Sequence, residues 1–349
     1  MIEDDLRAAF ARHETLAPPT GPLRAAIDRV ANRRRRRRLR LRLGGTALAL
    51  VAAALVGFTA LAPRPPAPSG QLAAPASPVP TGALNVLLLG VDAADGGRRA
   101  DSVVLVHVPA DRSRLYLVSI SRDLPVPVPG GGRDKLNASF AAGAGKTVDL
   151  AAGYRNTRQV VAQLVGVPID AGAVLTYPAT RELTDAVGGV PVCLPAAVRS
   201  VHTGRRFPAG CQQLGGAAAV DLLRQRYGLR NGGLDRDRNA GRYAAGLLRR
   251  IQEQGVLTDP ARLNRLMVQV GPDLVTDTGD TSLLALLSVV GKVTGAEPVA
   301  VSLPVRFEEQ GSYQVGMNPA LAPGFLAALR EDRLAEWTAA HPDQVTSLR

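Results

Sequence analysis

Thiols and imidazoles are scarce in this chain, with two cysteines and four histidines among 349 residues. That leaves a structural zinc centre without an adequate supply of ligands and excludes a small scaffold stapled by several disulfides. Aromatic residues are only 4% of the chain, with a single Trp. Ala, Val and Leu must therefore build the core, and a hydrophobic fraction of 46% at this length suffices to bury one, which excludes global disorder. Acidic residues number 30 against 42 basic, for a formal net charge of +12. The excess is local: residues 1–42 hold twelve Arg and five acids, which leaves about five positive charges on all that follows. A nucleic-acid binder with a basic docking face is thereby disfavoured, and no nucleic acid is expected among the partners.

What is present first is a membrane signature. Arg33 to Arg38 run without interruption, Arg40 and Arg42 follow, and Leu43 to Ala62 is then free of charge for 20 residues. Twenty residues at about 1.5 Å each span roughly 30 Å, the thickness of a bilayer's hydrocarbon. Arginines on one flank keep that side cytoplasmic. The apolar run exceeds the h-region of a cleaved signal peptide, so an uncleaved signal-anchor is expected. Residues 63–82 carry seven Pro and read as a semi-rigid spacer. The expected organisation is a cytoplasmic Arg-rich segment (1–42), a transmembrane helix (43–62), a Pro-rich linker (63–82) and one extracytoplasmic domain (83–349). The protein is thus expected to sit in the cell membrane as a single-pass protein. Cys193 and Cys211 both fall in the exported part, where a disulfide is expected to join them.

The exported part reads as mixed α/β, a central sheet covered by helices. Leu84 to Val91, Ser102 to Pro109 and Leu115 to Ile120 are short apolar runs bounded by Gly, Asp and Arg and read as neighbouring buried strands, with another at Val299 to Pro304. Helical spacing marks Thr147–Val165, Pro178–Val187, Gly216–Tyr227, Arg238–Gln254, Ala261–Val270, Ser282–Val293 and Ala320–Leu329.

The candidate chemistry gathers where strands end. The first strand ends at Asp92, Arg98, Arg99 and Asp101 precede the second, and the third ends in Ser121-Arg122-Asp123. A crevice at strand ends is where such sheets bind ligands. Two carboxylates, Asp92 and Asp101, suit a hard cation such as Mg²⁺, which accepts one or two carboxylates plus substrate phosphate. Guanidinium forks suit phosphate oxygens. Further basic residues follow at Arg133-Asp134-Lys135 and at Arg224-Gln225-Arg226, with Arg236 ten residues beyond Arg226. Residues two apart on a continuing helix do not share a face, so Arg224 and Arg226 converge on one ligand only if the helix ends near Tyr227.

Taken in order, LNVLLLGVD, Arg99-Ala100-Asp101-Ser102, SISRDLPVPVPG, DKLNASF, GVPIDAGAVLTYPATRELTDAVGGVPVCLP, FPAGCQQLGG and RQRYGL resemble the LytR–CpsA–Psr (LCP) family of cell-envelope proteins over roughly residues 83–330. The resemblance implies a Mg²⁺-dependent phosphotransferase that moves a polyprenyl-pyrophosphate-linked glycopolymer onto peptidoglycan and releases the lipid phosphate. It implies Asp92 and Asp101 as metal ligands. It also implies a pyrophosphate grip drawn from Arg99, Arg122, Lys135, Arg224, Arg226 and Arg236, and an apolar tunnel for the lipid. Three positions depart from the family pattern. Ser121 stands where Pro is usual, Gly233 where an Asp is often found, and Ala240 where Gln is usual, and neither Asp235 nor Asp237 is in register with the missing acid. The departures keep a second reading open, a catalytically weak envelope protein that binds polyprenyl phosphate.

Overall fold

Three consecutive apolar runs form the antiparallel middle of a seven-stranded sheet in the computed structural model of the chain. They are β1 (Leu84–Asp92), β2 (Arg99–Val108) and β3 (Tyr116–Ile120). The structure describes residues 80–92, 99–129, 132–257, 259–279, 281, 283–293, 296–308 and 314–348, all within one compact unit, Ala76–Arg349. The Arg-rich segment, the expected membrane span, Arg98 and nearly all of the spacer lie outside the described residues. Among the described residues no helix is long and apolar enough to cross a membrane.

Two helices follow the central strands, α1 (Leu136–Ala144) and α2 (Leu150–Val165). Next come β4 (Ala171–Thr176) and α3 (Tyr177–Ala186), then a hairpin of Val190–Leu194 with Gly210–Leu214, then α4 (Gly216–Arg224) and α5 (Gly233–Glu253). The chain closes with α6 (Pro260–Val270), β5 (Leu274–Asp277), α7 (Leu283–Lys292), β6 (Val299–Ser302), α8 (Ala322–Arg330), α9 (Leu334–Ala340) and β7 (Val345–Thr346). The sheet order is β5-β4-β1-β2-β3-β6-β7. β4 runs parallel to β1 and β6 parallel to β3, while the other neighbours are antiparallel.

Alternation along the strands sends side chains to two different cores, as the pleat requires. Leu87, Leu89 and Val91 face a cluster with Phe140, Val161 and Phe325 from α1, α2 and α8. Leu84, Val104, Val106 and Leu117 face the opposite way, toward Ala240 and Ala245 of α5 and Val289 of α7. A third cluster joins α3, α4 and the hairpin through Leu183, Leu222 and Val192. The expected sheet covered by helices is what forms. Three strands not read from sequence extend it: β4, a Gly-containing run next to α3, and the short edge strands β5 and β7. Cys193 and Cys211 occupy directly opposed positions of the hairpin and are joined by a disulfide.

Candidate functional site at the sheet end

The site begins with an irregularity in the β1–β2 ladder. Gly90 pairs with Ser102 but Val91 pairs with Ala100, so Asp101 is one residue too many on β2, a β-bulge. In an unbroken ladder Asp101 and Ser102 would face opposite sides of the sheet. Here both border the same cavity, beside Gly90 and Tyr177. The bulge has turned the Asp101 carboxylate onto the α5 side. Gly90 permits this close approach, because a Cβ there would lie 2.4 Å from the Ser102 hydroxyl. Asp92, two residues along from Gly90, ends β1 opposite Arg99, whose side chain is exposed at the rim.

Beyond the end of β3 the chain turns tightly and comes back. Leu124 N–H donates to Ser121 O, and after a small hairpin (Pro125–Pro127 with Arg133–Lys135) Asn137 N–H donates to Arg122 O at 3.0 Å. The return brings Lys135 Nζ to 2.9 Å from Asp123. Burial pushes the Asp123 carboxyl up, but the Lys135 bond and the charges of Arg122, Lys135 and Arg236 outweigh it and hold it below the usual range. Arg122 donates from one terminal nitrogen to Asp101 Oδ1. Its own guanidinium is drawn down to about 10, first by burial and then by the charge of Arg236, with Arg226 acting in the same sense and Asp123 and Asp237 opposing. Arg122, Arg226 and Arg236 therefore share one electrostatic neighbourhood, although three like charges repel.

Tyr177 closes the other side. It opens α3 directly after β4, with Thr176 as N-cap and Pro178 in the first turn. Because β4 runs parallel beside β1, with Thr176 opposite Val91, the tyrosine emerges next to the end of β1. Its hydroxyl donates to Asp101 Oδ2 at 2.7 Å. Burial and then the Asp92 charge push the phenol up to about 12, against the charges of Arg224, Arg236 and Arg122. The Arg224 guanidinium lies 5.3 Å from the Tyr177 ring centre, a cation–π arrangement.

α4 stops at Arg224, three residues earlier than the spacing predicts. Gln225 is extended and fully buried, its side chain taken up by Val201 N–H and Tyr227 O. Arg226 is thereby freed from the helical direction of Arg224. Helix α5 starts five residues sooner than expected, at Gly233, so Arg236 sits in its first turn, where the helix dipole favours anions. A Cβ on Gly233 would lie 3.3 Å from Asp123 Oδ2, which shows how closely this helix start approaches the Arg122–Asp123 turn. Of the two acids near the position where Gly233 departs from the family, Asp235 turns to Asn231 and Arg238, whereas Asp237 bonds Arg236 at 2.9 Å. Burial raises the Asp237 carboxyl despite that bond. Arg122 Nε, Arg236 Nε and Asp237 Oδ2 are buried with no hydrogen-bond partner. Bonding capacity of this kind, gathered at one place, is available to a polar ligand.

An apolar cavity of about 180 Å³ adjoins this cluster. Asp101 and Tyr177 border its polar end, and Val104, Leu117, Leu247 and Leu248 line it further along. Ala240, which replaces the usual Gln, is part of its wall.

The LytR_cpsA_psr family model matches residues 68–322. The chain belongs to the LytR–CpsA–Psr family. It is 32% identical over 222 residues to the cell wall biosynthesis protein LcpA of Corynebacterium glutamicum, covering 59% of this chain and 43% of that one. It is 29% identical over 219 residues to the polyisoprenyl-teichoic acid–peptidoglycan teichoic acid transferase TagU of Enterococcus faecalis, covering 60% and 67%. The chain spans about half the length of the LcpA and LcpB relatives it matches. Its fold is that of the LytR-Csp2A-Psr enzyme from Actinomyces oris, with a TM-score of 0.55 and 24% identity over 72% of this chain and 92% of that one.

Among the residues singled out from sequence, Asp92, Asp101, Arg122, Arg224, Arg226 and Arg236 gather around Tyr177 and the start of α5. Lys135 stands at the edge, paired to Asp123, and Arg99 is at the rim. Sequence reasoning passed over Tyr177, and it named Asp237 only to set it aside with Asp235 as out of register. The first had a signal, a Tyr-Pro pair directly after the short run AGAVLT. The second had none that distinguished it from the other charges of LDRDR.

Proposed function

We propose that this LytR–CpsA–Psr protein is a membrane-anchored phosphotransferase. It moves a polyprenyl-pyrophosphate-linked glycopolymer onto peptidoglycan on the outer side of the cell membrane. The supporting observation is the convergence of Arg122, Arg226 and Arg236 beside Asp101 and Tyr177, at the mouth of an apolar cavity. Guanidiniums held together against their repulsion fit a pyrophosphate, and the cavity fits the first isoprene units of the lipid attached to it. TagU, by its name, joins teichoic acid to peptidoglycan; here the polymer is left as a class.

In the proposed reaction an acceptor hydroxyl oxygen bonds to the sugar-bearing phosphorus. The bond from that phosphorus to the bridging oxygen breaks, polyprenyl phosphate leaves with the bonding electron pair on that oxygen, and the hydroxyl proton passes to solvent. Phosphoryl transfer needs positioning and neutralisation of charge more than covalent participation. Arg122, Arg226 and Arg236 supply both for the phosphate oxygens, and Tyr177 and Arg122 fix the orientation of Asp101. A divalent cation fits the same donors. Each Asp101 oxygen accepts one hydrogen bond and keeps a lone pair, and Asp92 ends the neighbouring strand. Among the described residues no group of three or more metal-binding side chains occurs, so the ion suited here brings its own waters and takes phosphate oxygens, as Mg²⁺ does. Held by Asp92 and Asp101, Mg²⁺ would neutralise charge on those oxygens.

The test is transfer in vitro from a lipid-linked donor by the full chain in detergent. Arg226→Lys keeps the charge but loses the bidentate fork, and transfer is expected to fall about tenfold or more. Pyrophosphate binding without any transfer by the unaltered chain would leave the weak-binder reading in its place.

A further inference from the structure

Helix α5 is a partition with a different chemistry on each flank. Ala240, Tyr243, Ala244, Leu247 and Leu248 face the apolar cavity already described. Asp235, Arg238, Asn239 and Arg242 recur at the same helical spacing on the opposite flank. They line a second cavity of about 830 Å³, which Ser121, Ser302 and the C-terminal segment around Thr346 complete. That volume falls within the range of ligand sites.

This second cavity has an apolar wall, with Leu194, Val198, Leu229, Leu303 and Val345, and a polar wall supplied by α5 and the loop before it. Asp235 accepts from Asn231 N–H at 2.8 Å and from Arg238 at 2.8 Å, which fixes the loop before α5 against the helix. Arg242 donates to Asn239 Oδ1 at 2.8 Å and to Ser347 O at 3.2 Å, which fixes the far wall. The side chains so held are amide, guanidinium and carboxylate, and with the Ser121 and Ser302 hydroxyls on the lining they give a polar wall of donors and acceptors that complements sugar hydroxyls, beside an apolar wall that suits a sugar's C–H face. Among the described residues, no aromatic side chain and none of Arg122, Arg224, Arg226 or Arg236 lines it. Asp237 is the link between the two sides: it lines the polar cavity and holds Arg236 at 2.9 Å.

We propose that this cavity binds the acceptor glycan. The inference rests on the phosphotransferase reading. In an in-line displacement the attacking and leaving oxygens lie on opposite sides of phosphorus. If the lipid phosphate departs toward the apolar flank of α5, the acceptor hydroxyl arrives from the other flank, and that flank carries the polar cavity. Asn231 and Arg238 orient the sugar chain; they are positioning residues.

The experiment titrates the full chain in detergent with three probes. They are a soluble peptidoglycan tetrasaccharide, farnesyl pyrophosphate, and a lipid-linked donor carrying its glycan. Wild type is compared with Arg238→Ala and, as a change in the loop rather than the helix, Asn231→Ala. Both variants are expected to weaken the tetrasaccharide about tenfold and to leave farnesyl pyrophosphate unchanged. No tetrasaccharide binding by wild type, or equal binding by wild type and both variants, overturns the inference. Weakening of the glycan-bearing donor with the tetrasaccharide unaffected also overturns it, by assigning the cavity to the donor sugar. Failure of farnesyl pyrophosphate to bind wild type counts against the phosphotransferase reading itself, and is read separately from the tetrasaccharide arm.

Discussion

Strand β2 has a buried polar constellation at each end, and the two are built on opposite terms. At the Val108 end, His107 is 1% exposed and both ring nitrogens are engaged, Nε2 with Asp332 at 2.8 Å and Nδ1 with the Asn85 side-chain amide at 2.9 Å. Asp332 also accepts from Ala110 N–H, and Asn85 N–H donates to Asp170. Bonding there is reciprocal, and it ties the strands to the turn after α8. At the Asp101 end, like charges are crowded together and Arg122 Nε, Arg236 Nε and Asp237 Oδ2 have no hydrogen-bond partner. A satisfied buried network contributes stability; an unsatisfied one costs stability and keeps bonding capacity for something else. Burial alone would have ranked the two ends alike. The ledger of donors and acceptors separates them.

The comparison breaks most visibly if the Asp101 end proves structural. Arg122→Met is expected to weaken farnesyl pyrophosphate about a hundredfold, with the melting temperature unchanged or raised because a repelled, buried charge is gone. A large fall in melting temperature with affinity retained would reverse the assignment. Asp332→Ala should do the opposite. It strips His107 and Ala110 of their shared acceptor and is expected to lower stability by about 2 kcal/mol in denaturant titration, with pyrophosphate affinity unaltered. The smallest effect sharpens the contrast through pH. Burial depresses the His107 imidazole below its ordinary 6.5, an effect that the Asp332 bond and charge oppose without cancelling. The unfolded chain therefore binds the extra proton first, and this contribution is full above about pH 6.5 and is lost as pH falls below it. Unfolding midpoints should decline between pH 7.5 and 5 by an increment that His107→Gln lacks; identical slopes in both proteins would refute it.

Much of this was legible in the residues. The three central strands are continuous apolar runs, and the helices along α2, α3 and α6 carry plain periodicity. The acids and arginines of the site sit at strand and helix ends, where punctuation by Gly and Asp is strong. What escaped reading depended on pairing. β5 and β7 are four and two residues long and take their form from neighbours far away in sequence. Helix α1 lay behind the basic run Arg133-Asp134-Lys135, and α5 began earlier than its apolar stripe because Gly232 and Gly233 masked its first turn. Gln225 ended α4 through bonds to Val201 and Tyr227, a tertiary event that no local propensity announces. Asp237 differs from Asp235 only in which way the helix turns it.

The bulge at Asp101 makes the site a matter of parity. Along β2 the odd-numbered Val103 and Leu105 face one core and the even-numbered Val104 and Val106 the other, yet Asp101 sides with the even set. One supernumerary residue has changed the count between the core and the carboxylate by one. Substitutions that respect this count alter the site by degrees, whereas removing Ala100 would set Asp101 opposite Val91, straighten the ladder and send the carboxylate to the far side of the sheet. Two chains with every functional residue in common would then differ in kind, separated by an insertion so small that a comparison of residue identities alone passes it by.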